Sequence, residues 1–175
     1  MKTLAALTAF TTLFMATHNG SASDVPLITV DRVDLQRYVG RWYEIARYPN
    51  RFQRKCQSDT TATYTLRADG KIQVANACRQ KDDSITTATG TAKVVDATTN
   101  AKLKVTFFWP FYGDYWIIGL GPEYQYAIVG EPSRKYLWIL SRTPTMDEKT
   151  YQEVLHRVES LGYQPGALIK TPQSH

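Results

Sequence analysis

The sequence predicts an all-β chain: a meander of antiparallel strands, either a sandwich or an up-and-down barrel, followed by one helix. Three observations carry this. First, apolar and alternating runs from residue 41 to 142 are broken at regular intervals by turn residues, with no helix-periodic stretch between them. Second, Gly40-Arg41-Trp42-Tyr43-Glu44 near the start and Tyr136-Leu137-Trp138-Ile139-Leu140-Ser141-Arg142-Thr143-Pro144 near the end place an indole and a guanidinium at the ends of the first and last strands. These groups stack favourably, by roughly 0.5 to 2 kcal/mol. If they meet, the two strands are neighbours, which is the closure condition for a barrel. Third, the stretch after Arg142 is amphipathic at helical spacing.

Residues 1–23 read as a secretory leader. Lys2 supplies the positive end, Leu4 to Met15 the apolar stretch and Ser21-Ala22-Ser23 the small-residue site before Asp24. The apolar run falls short of the roughly 20 residues a membrane span needs, and no cysteine follows it to accept a lipid. The expectation is therefore an exported protein, periplasmic or extracellular and not a lipid-anchored lipoprotein, with a single domain over 24–175 undivided by linker or repeat.

Eight strands follow, at 41–48, 60–67, 71–77, 85–95, 102–108, 114–121, 124–130 and 136–142. Asp69-Gly70, Asp96 to Asn100, Trp109 to Asp114, Gly121-Pro122 and Glu131 to Lys135 separate them. Ala62, Tyr64 and Leu66 alternate with threonines, Ile72 and Val74 with Lys71 and Gln73, and Leu103, Val105 and Phe107 with Lys102, Lys104 and Thr106. These strands have one wet face, and their outward lysines and threonines exclude an outer-membrane barrel. Strands 114–121 and 136–142 are apolar on both faces, so something must cover them. The helix can do so: Thr145 as N-cap with Glu148 three residues on forms a capping box, Tyr151, Val154, Leu155, Val158 and Leu161 form the stripe, and Gly162 supplies the stop.

The formal charge of +5 falls to +4 without Lys2 and is spread over isolated residues, which points away from nucleic acid. Cys56 and Cys78 flank the runs 60–67 and 71–77 in an oxidising compartment, so a structural disulfide is expected. Beyond the leader only His156 and His175 remain, which leaves no histidine triad or histidine metal site; GxSxG, P-loop and dinucleotide motifs are absent. No cofactor, metal or catalytic residue is called, and the chain is read as a non-enzyme. Glu44, on the strand of Trp42, is the one acid to inspect inside a barrel, more as a satisfied carboxylate than as a general base.

Ala88, Gly90 and Ala92 share one face of strand 85–95. Side chains of this size cannot fill an eight-stranded interior, which points to a cavity; the alternative is that they accommodate Tyr64, Phe107 or Trp138. Cavity candidates are Ala62, Tyr64, Val74, Ala88, Gly90, Val105, Phe107, Tyr115 and Trp138. Phe107 to Trp116 carries more rings than a connection needs. Phe108, Trp109, Phe111 and Tyr112 are therefore candidates for an apolar lid, rim or docking surface, or else for a plug in one barrel end.

The chain resembles the lipocalins, in particular bacterial lipocalins related to plant temperature-induced lipocalins and apolipoprotein D. The residues that carry the likeness are Gly40 to Arg47, Gly113-Asp114-Tyr115-Trp116, Glu123 to Gly130 and Leu137 to Pro144, in that order and followed by a helix. The resemblance runs from about Val33 to Ser174. It implies an eight-stranded antiparallel up-and-down β-barrel, with a short helical turn near Asp34 to Tyr38 and the C-terminal helix packed outside. Gly40, Trp42 and Arg142 match the family's structural motif at the closed end. Gly121 stands where the family carries an aspartate, which alters the local turn bonding. The implied function is binding, storage or transport of a small hydrophobic ligand, a fatty acid or lysophospholipid, in cell-envelope lipid maintenance. A lipocalin-fold enzyme on a lipid or isoprenoid, and a protein- or membrane-docking module, are the alternatives. Expected partners are the lipid itself and, peripherally, a membrane, with the chain a monomer or homodimer.

Overall fold

The computed structural model describes residues 25–174; the leader expected at 1–23 lies outside them. A single helical turn α1 (Leu35–Tyr38) precedes strands β1 (Gly40–Arg47), β2 (Ser58–Leu66), β3 (Ile72–Arg79), β4 (Ile85–Val94), β5 (Lys102–Phe108), β6 (Phe111–Leu120), β7 (Tyr126–Gly130) and β8 (Leu137–Ser141). Helix α2 (Glu148–Ser160) and a short strand β9 (Ile169–Lys170) complete the chain. Each of β1 to β7 pairs antiparallel with the next, and β8 pairs with β1, Glu44 opposite Leu140 and Arg47 opposite Trp138. The barrel is closed, as the indole and guanidinium at its ends require.

Parity sorts the side chains into two cores. Inside the barrel, Trp42, Tyr64, Ile72, Val74, Leu103, Ile117, Val129 and Leu140 pack with Val33 and Tyr38. Outside it, Ile118, Ile128, Leu137 and Ile139 lie against Tyr151, Val154, Val158 and Leu161 of α2. The two-faced apolarity of β6 and β8 is thus covered by the helix stripe.

Several boundaries differ from expectation. The N-cap of α2 is Asp147, not Thr145: its carboxylate accepts from Thr150 N at 2.9 Å, so Glu148 opens the helix instead of closing a capping box. Strand β6 begins at Phe111, because Phe108 pairs directly with Phe111 and leaves Trp109-Pro110 as the turn. Strand β7 begins at Tyr126, since Tyr124 sits at φ 59° with its carbonyl turned to Arg142. The Gly121 turn is bonded by Gln125, whose Oε1 accepts from Glu123 N at 3.0 Å. Strand β9 was not expected. It pairs with β1 beyond the point where β2 leaves it, and Gln173 Nε2 donates to the carbonyls of Glu44 and Thr60 across that gap.

The Cys56–Cys78 disulfide is formed, with Cα atoms 5.5 Å apart. It ties the segment between β1 and β2 to the far end of β3.

Candidate functional site

One end of the barrel is sealed. Asp34 caps α1 through Gln36 N and Arg37 N, and this turn carries Tyr38 under the strands. Trp42 Nε1 donates to Tyr38 O at 2.8 Å, and the Arg142 guanidinium lies 3.8 Å from the Trp42 ring centre. Gly40 takes φ +99°, and a Cβ there would meet Arg142 at 3.3 Å, so glycine is needed on both counts. Above this seal three phenols join: Tyr38 to Tyr115 at 2.7 Å and Tyr64 to Tyr115 at 2.9 Å. Burial pushes the Tyr64 hydroxyl up to about 12 and those of Tyr38 and Tyr115 well above the usual range. All three are neutral at any physiological pH, a polar floor without charge.

The candidates divide by depth. Tyr64 and Val74 are buried in the lower core, and Ala62, Val105, Phe107, Tyr115 and Trp138 are partly buried against it. Ala88 is exposed near the end where β4 begins. Gly90 is buried for a packing reason: a Cβ would come within 2.8 Å of the Phe107 ring and 2.5 Å of Thr106 O. At that position the alternative reading of the small residues holds. The residues around the seal are buried, whereas Ala62, Val105, Phe107 and Trp138 are only partly buried.

A polar chain lies where β1 and β8 pair. Trp138 Nε1 donates to Gln53 Oε1 at 3.0 Å, Gln53 Nε2 to Glu44 Oε2 at 2.6 Å, and Thr171 Oγ1 to Glu44 Oε1 at 2.6 Å, while Arg47 Nε stands 3.3 Å from the same carboxylate. Glu44 is 2 % exposed. Its burial raises the carboxyl pKa against the pull of these donors. With hydrogen bonds from Thr171 and Gln53 and the Arg47 cation beside it, it is a satisfied carboxylate that binds the C-terminal segment to the barrel and has no open approach for a substrate.

The aromatic turn is largely exposed, although Trp109 and Tyr112 border a surface cleft with Thr91 and Thr106 of the barrel. Phe108, Trp109 and Phe111 are 81 %, 82 % and 78 % exposed, so they do not plug the open end. Tyr112 is held by Lys93, whose Nζ lies 4.7 Å from the ring centre. Phe52, 64 % exposed, joins the same end; it packs on Tyr136, which stacks on Trp138. His156 lies on the exposed face of α2.

Sequence reasoning missed Gln53, Phe52, Arg47 and Asn76. The first three lie on or beside an irregular segment with no period to read. Asn76 had a signal, since the alternation of Ile72 and Val74 continues to it. Two clefts, of about 230 and 240 Å³, lie on the outer surface beside Tyr151 and Lys170 and beside Arg67 and Lys93. Neither is lined by the inward candidates.

Residues 33–173 match the profile of a lipocalin-like domain. The chain is 44% identical over 152 residues to temperature-induced lipocalin-1 of Arabidopsis thaliana, covering 83% of this chain and 82% of that one. It is 41% identical over 175 residues to the outer membrane lipoprotein Blc of Escherichia coli, covering 99% and 98%. Among solved structures, insecticyanin of Manduca sexta superposes with a TM-score of 0.69 at 21% identity over 84% of each chain, a likeness of fold.

Proposed function

The chain belongs to the lipocalin family, and from that premise we propose that it carries a small hydrophobic ligand, a fatty acid or lysophospholipid, in the upper half of its barrel. The observation that supports this most is the division of the interior. The uncharged floor of Tyr38, Tyr64 and Tyr115 stands under Ala62, Val105, Phe107 and Trp138, which are largely apolar and only partly buried, and we read these as the wall of a cup. Burying an acyl chain against them gains about 25 cal/mol per Å² of apolar surface taken from water.

Carriage is favoured over catalysis because the ionisable groups near the cup are engaged: Glu44 by two donors and the Arg47 cation, the tyrosines by one another. The leader-like residues 1–23 and the likeness to an envelope lipoprotein support a role in envelope lipid maintenance. The exposed turn at Phe108, Trp109 and Phe111 supports a peripheral contact with a membrane, from which a lipid could be taken up.

Titration of delipidated protein with a fluorescent fatty acid tests the reading. A saturable site at micromolar concentration, competed by unlabelled lipid, is expected. Absence of saturation overturns it.

A further inference from the structure

We propose that the cup selects a chain bearing a hydroxyl group part-way along its length, and that the Asn76 side-chain amide is the group that recognises it. This rests on the reading of the barrel as a carrier of a hydrophobic ligand.

Asn76 stands on β3 opposite Ala62 of β2 and Ala88 of β4, in a register unbroken from Val74. Val74 is buried in the inner core, so Asn76, two residues on, faces the same way. Strand β3 is hydrogen-bonded to neighbours on both sides, which commits the nearby backbone groups to the ladders. The cross-strand neighbours offer only methyl groups. Asn76 Oδ1 is accordingly buried with no hydrogen-bond partner among the described residues.

Such atoms are few in folded proteins, and each is costly enough to ask what it is for. The other polar groups of the interior have answers: Tyr38, Tyr64 and Tyr115 bond one another, and Glu44, Gln53 and Trp138 form a chain. The second unpartnered atom, Thr106 Oγ1, belongs to the outer face, since Thr106 pairs with Thr91 and is out of step with Val105. Asn76 is a polar group set into the cup wall.

An alkyl chain laid over this amide removes it further from water and leaves it unpaired. A hydroxyl both donates and accepts, so it pairs with either edge of an amide, which has donors on one atom and acceptor sites on the other. A site built to bond a hydroxyl rejects the analogue lacking it far more strongly than an apolar pocket rejects a missing methylene.

The test compares octadecanoic acid with octadecanoic acid hydroxylated at mid-chain, by calorimetry on delipidated protein. The wild type is expected to bind the hydroxylated acid at least about tenfold more tightly. In Asn76→Leu and Asn76→Ala the ratio should fall to about one, chiefly because the plain acid binds better. Equal affinities in the wild type, or a preference kept in both variants, overturn the inference while leaving the carrier reading intact. Failure of both acids to bind the wild type overturns the carrier reading and this inference together.

Discussion

The Arg142 guanidinium stacks 3.8 Å from the centre of the Trp42 ring and at the same time donates to the carbonyls of Tyr38, Val39 and Arg41 at 3.0 to 3.1 Å. One planar cation therefore closes the barrel end, caps the departing α1 turn and covers the indole. Lysine cannot reproduce this, because a compact ammonium has neither the fork nor the face. Arg142→Lys is expected to destabilise the fold by about 2 to 4 kcal/mol, read from the denaturant midpoint at constant slope. Ligand affinity per folded molecule should not change, since no side chain of the cup touches Arg142.

At Gly90 the limit is the Phe107 ring. Gly90→Ala should cost about 1 to 3 kcal/mol, since the added methyl must displace both a ring and a backbone carbonyl. Gly113→Ala is the control: a Cβ there meets nothing within 4 Å and should change stability by less than about 0.5 kcal/mol. Comparable losses at the two sites, measured by thermal unfolding, would show that Phe107 yields freely and that Gly90 is not a packing residue.

The architecture was legible wherever a repeating physical constraint acts along the chain. Alternating or continuous apolar runs bounded by turn residues located the strands of the barrel, and the two-faced apolarity of β6 and β8 called for the cover that α2 provides. What escaped were decisions made by competition between neighbours. Asp147 displaces Thr145 as the cap because its carboxylate reaches Thr150 N, and Phe108 pairs with Phe111 where a longer loop had been expected. Strand β9 escaped because two residues carry no period; its partner is a stretch of β1 left open by the divergence of β2. In the site, small residues signalled space, but at Gly90 the space belongs to Phe107. Only the contact itself separates those cases.

The disulfide staples the irregular segment 48–57 to the end of β3. With 22 residues separating its cysteines, the loop-closure argument gives about 3 kcal/mol. Cys56→Ser with Cys78→Ser should lose about that much in chemical denaturation. It should also raise amide exchange in 48–57, where Gln53 holds Trp138 and Glu44.

Asp59 links the C-terminal segment to the barrel: its carboxylate accepts from Arg79 Nε at 2.7 Å and from Ser174 N and Oγ. Arg79 foremost, and Ser174 with it, hold the carboxyl well below the usual carboxylate range. A depressed folded-state pKa contributes stability that is present above the ordinary aspartate value and is lost as pH falls from there toward the folded value. Asp59→Asn keeps the geometry and removes the charge. The wild type should therefore exceed the variant by about 1 to 3 kcal/mol at neutral pH, with the difference shrinking below about pH 4. A difference that stayed constant down to pH 2 would assign the effect to shape instead of charge.

Trp109 offers the sharpest separation of fold from docking. At 82 % exposure its ring contributes little to the core, so Trp109→Ser should leave the unfolding midpoint within about 0.5 kcal/mol of wild type. The same ring, beside Phe108 and Phe111, is placed to enter the interfacial layer of a bilayer, where indoles are favoured. Flotation with anionic vesicles should therefore show several-fold weaker association for the variant at unchanged fatty-acid affinity. If association is unaltered, the turn is not the membrane contact; if affinity for a soluble fatty acid falls in parallel, the ring acts as a lid over the cup, and its exposure in the free protein is the open state of that lid.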